Sequence, residues 1–116
     1  SSATTKTVKK GKVLFMHEEE ATHFYVVTKG WVKLFRETYD GHEVVVDVLN
    51  DGHTFGETSI FEHDIYSYGA EVVEDVELVM IPLSVLKEKI ERDALFAMRM
   101  FGTMARFRKQ QYFEVK

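Results

Sequence analysis

The sequence predicts a mainly β protein: a double-stranded β-helix (a jelly-roll or β-roll) with flanking short helices and a long C-terminal helix. Three observations carry this. Between Val13 and Pro82, short runs of β-branched and aromatic residues are punctuated by Gly and Asp at turn spacing. From Leu83 onward the apolar spacing becomes helical. The strand runs also follow one another too closely to admit the helices that an alternating α/β fold needs. The chain has 116 residues, of which 45% are hydrophobic, enough for one domain with a real core. It contains no Cys, which excludes disulfide scaffolds, thiolate zinc sites, iron–sulfur clusters and Cys nucleophiles.

The elements follow in order. Residues 13–16 (VLFM) and 23–27 (HFYVV) read as strands, and Thr28-Lys29-Gly30 reads as a tight turn between the second and residues 31–36. In that third run Trp31, Lys33 and Phe35 face one way, and Val32, Leu34 and Arg36 the other. Residues 39–42 (YDGH) form a hairpin turn, because Asp-Gly tolerates positive φ. Residues 43–49 pair back across it, and Asn50-Asp51-Gly52 turns again. Residues 53–55, 56–59, 70–73 and 76–81 complete seven or eight short strands, with 10–82 as the roll. Residues 84–91 form a short amphipathic helix. Asp93 caps a second, longer helix over 94–115. Its apolar residues, among them Ala97, Met100, Phe101, Met104 and Phe107, cover more than one stripe, so it is expected to form a homodimer interface.

Charge is unevenly laid out. Residues 1–36 carry seven bases and three acids, and residues 87–116 carry eight bases and four acids. Residues 37–86 carry twelve acids and no Lys or Arg. Such a stretch is a poor nucleic-acid surface and a poor phosphate site unless backbone amides or a partner supply the positive charge. The N-terminus is polar and basic, and no apolar run approaches a membrane span, so a cytoplasmic protein is expected.

The chemistry concentrates in Phe55-Gly56-Glu57-Thr58-Ser59-Ile60-Phe61. Gly56 would allow close backbone approach, and Glu57 would accept hydrogen bonds from a ligand's hydroxyls. The seven residues alone fit an ordinary Gly turn with a solvated Glu equally well. The wider order is Lys29-Gly30-x-Val32-Lys33-Leu34, Gly41-x-Glu43, Asp51-Gly52-x-x-Phe55-Gly56-Glu57, Phe61 and Ala70-Glu71. It resembles the cyclic-nucleotide-binding-like sensor domain of the Crp/Fnr transcription regulators, from about Lys10 to Val115.

That resemblance implies a β-roll with a long dimerisation helix, and effector binding relayed to a DNA-binding domain. The helix-turn-helix of the family falls beyond Lys116, so DNA contact is expected only through that domain. In cyclic-nucleotide members of the family, an Arg follows Phe-Gly-Glu by about ten residues and pairs with the phosphate. Here Tyr66-Ser67 stands at that place, so cyclic nucleotide is disfavoured as effector.

The loop Tyr66-Ser67-Tyr68-Gly69-Ala70-Glu71 more closely resembles the nitrogen-oxide and redox regulators of the family, with the HcpR type nearest. This implies a response to nitrosative stress, with haem as the suspected sensor and nitric oxide as the gas. His53 and His63, flanking Gly56-Glu57, are the candidate haem ligands, although a surface or structural His is the commoner role for each. The expected effector-binding residues are Phe55, Gly56, Glu57, Thr58, Ser59, Tyr66, Ser67 and Tyr68, with Arg108, Gln111 and Tyr112 on the helix. No catalytic set is recognisable, since Ser59 lacks a nucleophile-elbow surround. A cupin-like metal-dependent enzyme is the rival from another class; it needs His ligands on paired strands, whereas these His are scattered on turns.

Overall fold

The structure is a computed structural model and describes residues 3–103. The chain divides into two units, Ser1–Leu83 and Ser84–Lys116. The first holds β1 (Thr4–Val8), β2 (Val13–Phe15), β3 (His23–Glu37), β4 (Glu43–Leu49), β5 (Thr54–Phe55), a 3-10 turn (Glu57–Phe61) and β6 (Gly69–Pro82). All pairings are antiparallel. The sheet order is β1-β6-β3-β4, with β2 added on β6 and β5 on β3.

Three expectations about strands are corrected. The Thr28-Lys29-Gly30 turn does not form, because β3 runs through it as one 15-residue strand. Gly30 instead bends the strand at φ 93°, amid shifts in register against β6. A Cβ at Gly30 would lie 2.2 Å from the Asp75 carbonyl oxygen, so only glycine lets the two long strands approach there. The expected strands at 70–73 and 76–81 merge for the same reason into the 14-residue β6, which curves together with β3. Residues 56–59 are not a strand: they open the 3-10 turn that leads away from β5. Residues 4–8, which were not expected to pair, form β1, in register from Thr4 opposite Met80 to Val8 opposite Val76. Its lysine and threonines are exposed, which hides the strand from a search for apolar alternation.

The two expected turns form. Thr38 N–H donates to His42 O at 2.8 Å with Gly41 at φ 85°, and Gly52 N–H donates to Val27 O at 2.7 Å. The core runs along the inner face of β3 and β6. Val27, Val32, Val72, Val76 and Leu78 are closed to solvent, and Phe15, Tyr25, Phe55 and Tyr66 stack beside them.

In the second unit, α1 spans Leu83–Arg92, close to the expected 84–91, and carries the ion pairs Arg92–Glu88 at 2.7 Å and Lys89–Asp93 at 3.2 Å. The Asp93 cap forms: Phe96 N–H donates to its Oδ1 at 3.0 Å, and helix α2 runs over 94–103. Leu95, Met98 and Phe101 are exposed on it at a spacing of three, while Ala97 and Met100 are half-buried. The rest of the expected helix, including Met104 and Phe107, lies outside the described residues. No described helix is long and apolar enough to cross a membrane.

Candidate functional site

The site is built on the change of direction after β5. Phe55 ends the strand fully buried, its ring stacked on Tyr25 at 4.9 Å. Gly56 then takes the left-handed conformation, φ 87° and ψ −13°, and caps the 3-10 turn. A Cβ here would sit 3.2 Å from His23 O and 3.3 Å from Tyr66 Cε1, so a side chain would be both strained and crowded. The glycine thus turns Glu57 back toward the sheet.

The polar groups around it are mostly committed. Ser59 is buried and donates from Oγ to Gly56 O at 2.6 Å, which locks the turn. The Tyr68 hydroxyl accepts from Gly56 N–H at 2.7 Å. Its phenol is pushed well above the usual range, first by burial and then by the neighbouring Glu57 charge. Tyr66 donates its hydroxyl to His23 O at 2.7 Å and stacks on Phe15 at 3.6 Å. The Ser67 carbonyl accepts from Arg36 Nε at 2.8 Å. Outside the turn, Glu18 N–H and Tyr66 O, and Tyr66 N–H and Glu19 O, tie the loop to residues 18–19.

Glu57 is the exception. Its Oε2 is shut off from solvent and has no hydrogen-bond partner. Burial raises its carboxyl above the ordinary value, against the opposing pull of its own backbone amide and the Thr54 hydroxyl. A buried acceptor left open costs about 1–3 kcal/mol or more when charged.

The expected effector residues therefore separate. Glu57 presents an open acceptor, with Thr58 beside it half-buried. Phe55, Gly56, Ser59, Tyr66 and Tyr68 build the walls and hold the turn rather than offering free polar atoms. Tyr66, which stands where the resemblance places an Arg, turns its ring into the core. Arg108, Gln111 and Tyr112 lie outside the described residues.

His53 and His63 are both exposed. The first rests against Asn50 O at 3.2 Å, and the second stands at φ 57° on a surface turn. No group of three or more His, Cys, Asp or Glu that could hold a metal stands among the described residues. Two open clefts, of about 340 and 410 Å³, lie away from Glu57; the larger is walled by Glu18 and Glu62 among others.

Sequence reasoning missed Arg36. It lies just outside the cation-free stretch, and only the pairing of β3 with β6 brings it to Ser67.

Comparison with known proteins agrees with this geometry. The model of the cyclic nucleotide-binding domain family matches residues 5–93. The cyclic AMP receptor protein of Thermus thermophilus is 32% identical over 97 residues, covering 84% of this chain and 45% of that protein. The solved structure of the Thermus thermophilus catabolite activator protein superposes with a TM-score of 0.85 at 28% identity, over 98% of this chain and 54% of that one. The sensor domain of the regulator DNR from Pseudomonas aeruginosa shares the fold, with a TM-score of 0.82 at 24% identity over 97% of this chain and 76% of that one. The chain spans under half the length of the curated receptor protein.

Proposed function

Because this chain belongs to the cyclic nucleotide-binding domain family, we propose that it is the effector-sensing domain of a Crp/Fnr-type transcription regulator, and that its effector donates a hydroxyl to Glu57. The single observation that carries this reading is the buried, unpartnered Oε2 of Glu57 on a left-handed glycine turn. A ribose-like diol is the chemistry that fills such an acceptor.

Effector binding acts by favouring one of two arrangements of the domain. Binding at Glu57 removes an unsatisfied charge and so stabilises whichever state holds the turn closed. Dimerisation through the helix that begins at Ala94, and DNA binding by a domain in the additional length of the relatives, complete the proposal. The exposed Leu95, Met98 and Phe101 support the dimer, because one apolar stripe on a helix is a ready partner surface.

The test is calorimetric titration with cyclic AMP and with its 2′-deoxy counterpart. Binding of the ribose form at least about tenfold more tightly, and loss of that difference in Glu57→Ala, is the expected result. Equal binding of the two, or none, rejects the Glu57 reading.

The finer reading, a nitrosative or redox response through haem, is supported by the likeness of the Tyr66–Glu71 loop to redox regulators and has its own test. A Soret shift on adding haem, lost in His53→Ala or His63→Ala and altered by nitric oxide, would support it. Spectra of free haem throughout would reject it.

A further inference from the structure

We propose that the cleft beside β1 and β2 is a separate ligand site, which binds a small amphipathic carboxylate: the apolar body against the core face of the sheet, the acid head on Lys6 and Lys12. The inference stands whether or not Glu57 holds the effector, because the two sites share no residue.

Register puts a lysine on the core face of the sheet. In the β1–β6 pair Lys6 stands opposite Leu78 and Val8 opposite Val76. Across β6, Leu78 stands opposite Val27 and Met80 opposite Tyr25. Residues directly opposed in an antiparallel pair point to the same face. Val8, Val27, Val76, Leu78 and Tyr25 are all buried, so this face is the inner one. Lys6 holds a core-facing position and is nevertheless exposed. The cause is the cleft beside it. β1 ends the sheet order, and the cleft there opens the core face to solvent over about 340 Å³. Leu78, Met80 and Tyr25 line it together with Val13 and Leu14 of β2. Its size falls within the range of small-molecule sites, about 300–1,000 Å³.

The charge around this lining is of one sign. Lys6, Lys9 and Lys12 line the cleft, and no acid does. Lys9 is engaged by Asp75 at 3.4 Å, and that carboxylate also accepts from Lys10 N–H at 2.8 Å. Glu77 stands opposite Thr7, on the other face of β1. The ammonium groups of Lys6 and Lys12 have no carboxylate partner among the described residues. The other open cleft has the opposite character, with Glu18 and Glu62 in its wall. Two uncommitted ammonium groups beside an apolar lining select a ligand that has both parts. A bare anion would leave Leu78 and Met80 uncovered, and an alcohol would leave the ammonium groups unpaired. An inward lysine on an edge strand also deters pairing with another sheet, but that role requires neither Lys12 nor a cleft.

The test titrates the full chain, ¹³C-labelled at its Leu, Val and Met methyls, with octanoate, octanol and acetate at matched ionic strength. Octanoate is expected to shift the methyls of Leu14, Leu78 and Met80 saturably. Octanol should need at least about threefold more to reach half-saturation, and acetate should move none of them. Lys6→Gln should raise the half-saturating octanoate concentration about threefold, and Lys6→Gln with Lys12→Gln about tenfold. Val13→Glu, at an exposed position, sets a carboxylate against the ligand's own and should abolish saturation. Glu57→Gln should leave the octanoate curve unchanged. Shifts that do not saturate, that octanol matches at equal concentration, or that persist unchanged in the double lysine variant overturn the proposal. No response to octanoate also overturns it, and leaves Lys6 as a guard of the sheet edge only. A response lost in Glu57→Gln and kept in the lysine variants places the acid at the turn after β5 and overturns it as well.

Discussion

Two regions a single residue apart in the chain obey opposite rules. On one side of Gly56 lies the aromatic plug of the roll: Phe15, Tyr25, Phe55 and Tyr66, each 7% exposed or less and stacked on one another. Their polar atoms are accounted for, as the Tyr66 hydroxyl on His23 O illustrates. On the other side lies Glu57, buried at one oxygen and unsatisfied. The plug holds the fold. The turn after it keeps the cost of a buried acceptor without a partner. On the proposed reading, the signature Phe55-Gly56-Glu57 is two devices joined at a glycine: a core anchor and a ligand acceptor.

Breaking the anchor should give the largest effect. Phe55→Ala removes a fully buried ring from its contacts with Phe15 and Tyr25 and should cost about 3–5 kcal/mol, read by urea unfolding. Breaking the joint comes next. Gly56→Ala forces a Cβ into a left-handed turn against His23 O and should cost about 2 kcal/mol, while reducing effector affinity because Glu57 is re-aimed. A still finer cut is Tyr68→Phe. It leaves Gly56 N–H buried without its acceptor and should cost about 1–2 kcal/mol. If Tyr68→Phe destabilises as much as Phe55→Ala, the division between plug and turn is mistaken.

These distinctions were unequally legible in the sequence. The β class, the Asp40-Gly41 and Asp51-Gly52 turns and the Asp93 cap all follow from local chemistry, and all appear as expected. Gly30 misleads for the opposite reason. Its positive φ is real, but long-range approach to Asp75 makes it a bend inside β3 rather than a turn between strands. β1 is invisible locally because its partner on β6 lies some seventy residues away and its own residues are mostly exposed. Glu57 could be singled out as a ligand acceptor, since Gly-Glu after a strand is a sequence pattern. Its burial without a partner could not, because that depends on how Tyr68 and Thr54 close around it. Alternation puts Arg36 on the same side of its strand as Val32 and Leu34. Its meeting with Ser67 needed the β3–β6 register.

The smallest effect is the most informative about Glu57. Its carboxyl is raised above the ordinary value of 4.5 by burial, so the folded state holds the proton more tightly than the unfolded chain does. The stability this contributes is fully present below the unfolded value and is lost as pH rises through the higher folded value. The wild-type chain should therefore lose stability relative to Glu57→Gln, whose amide does not titrate, as pH rises above the ordinary carboxyl value of 4.5. The exposed Asp40, Asp75 and Asp93 are shifted downward and act below their ordinary value of 3.8, outside this window. Urea unfolding of both proteins across the window reads the difference in slope. A ligand hydroxyl donated to Oε2 favours the ionised carboxylate and lowers the folded value. Saturating ligand should therefore bring the two slopes together. Parallel slopes without ligand would mean that Oε2 already has a partner in solution, and the acceptor side of the comparison would fail while the plug remained.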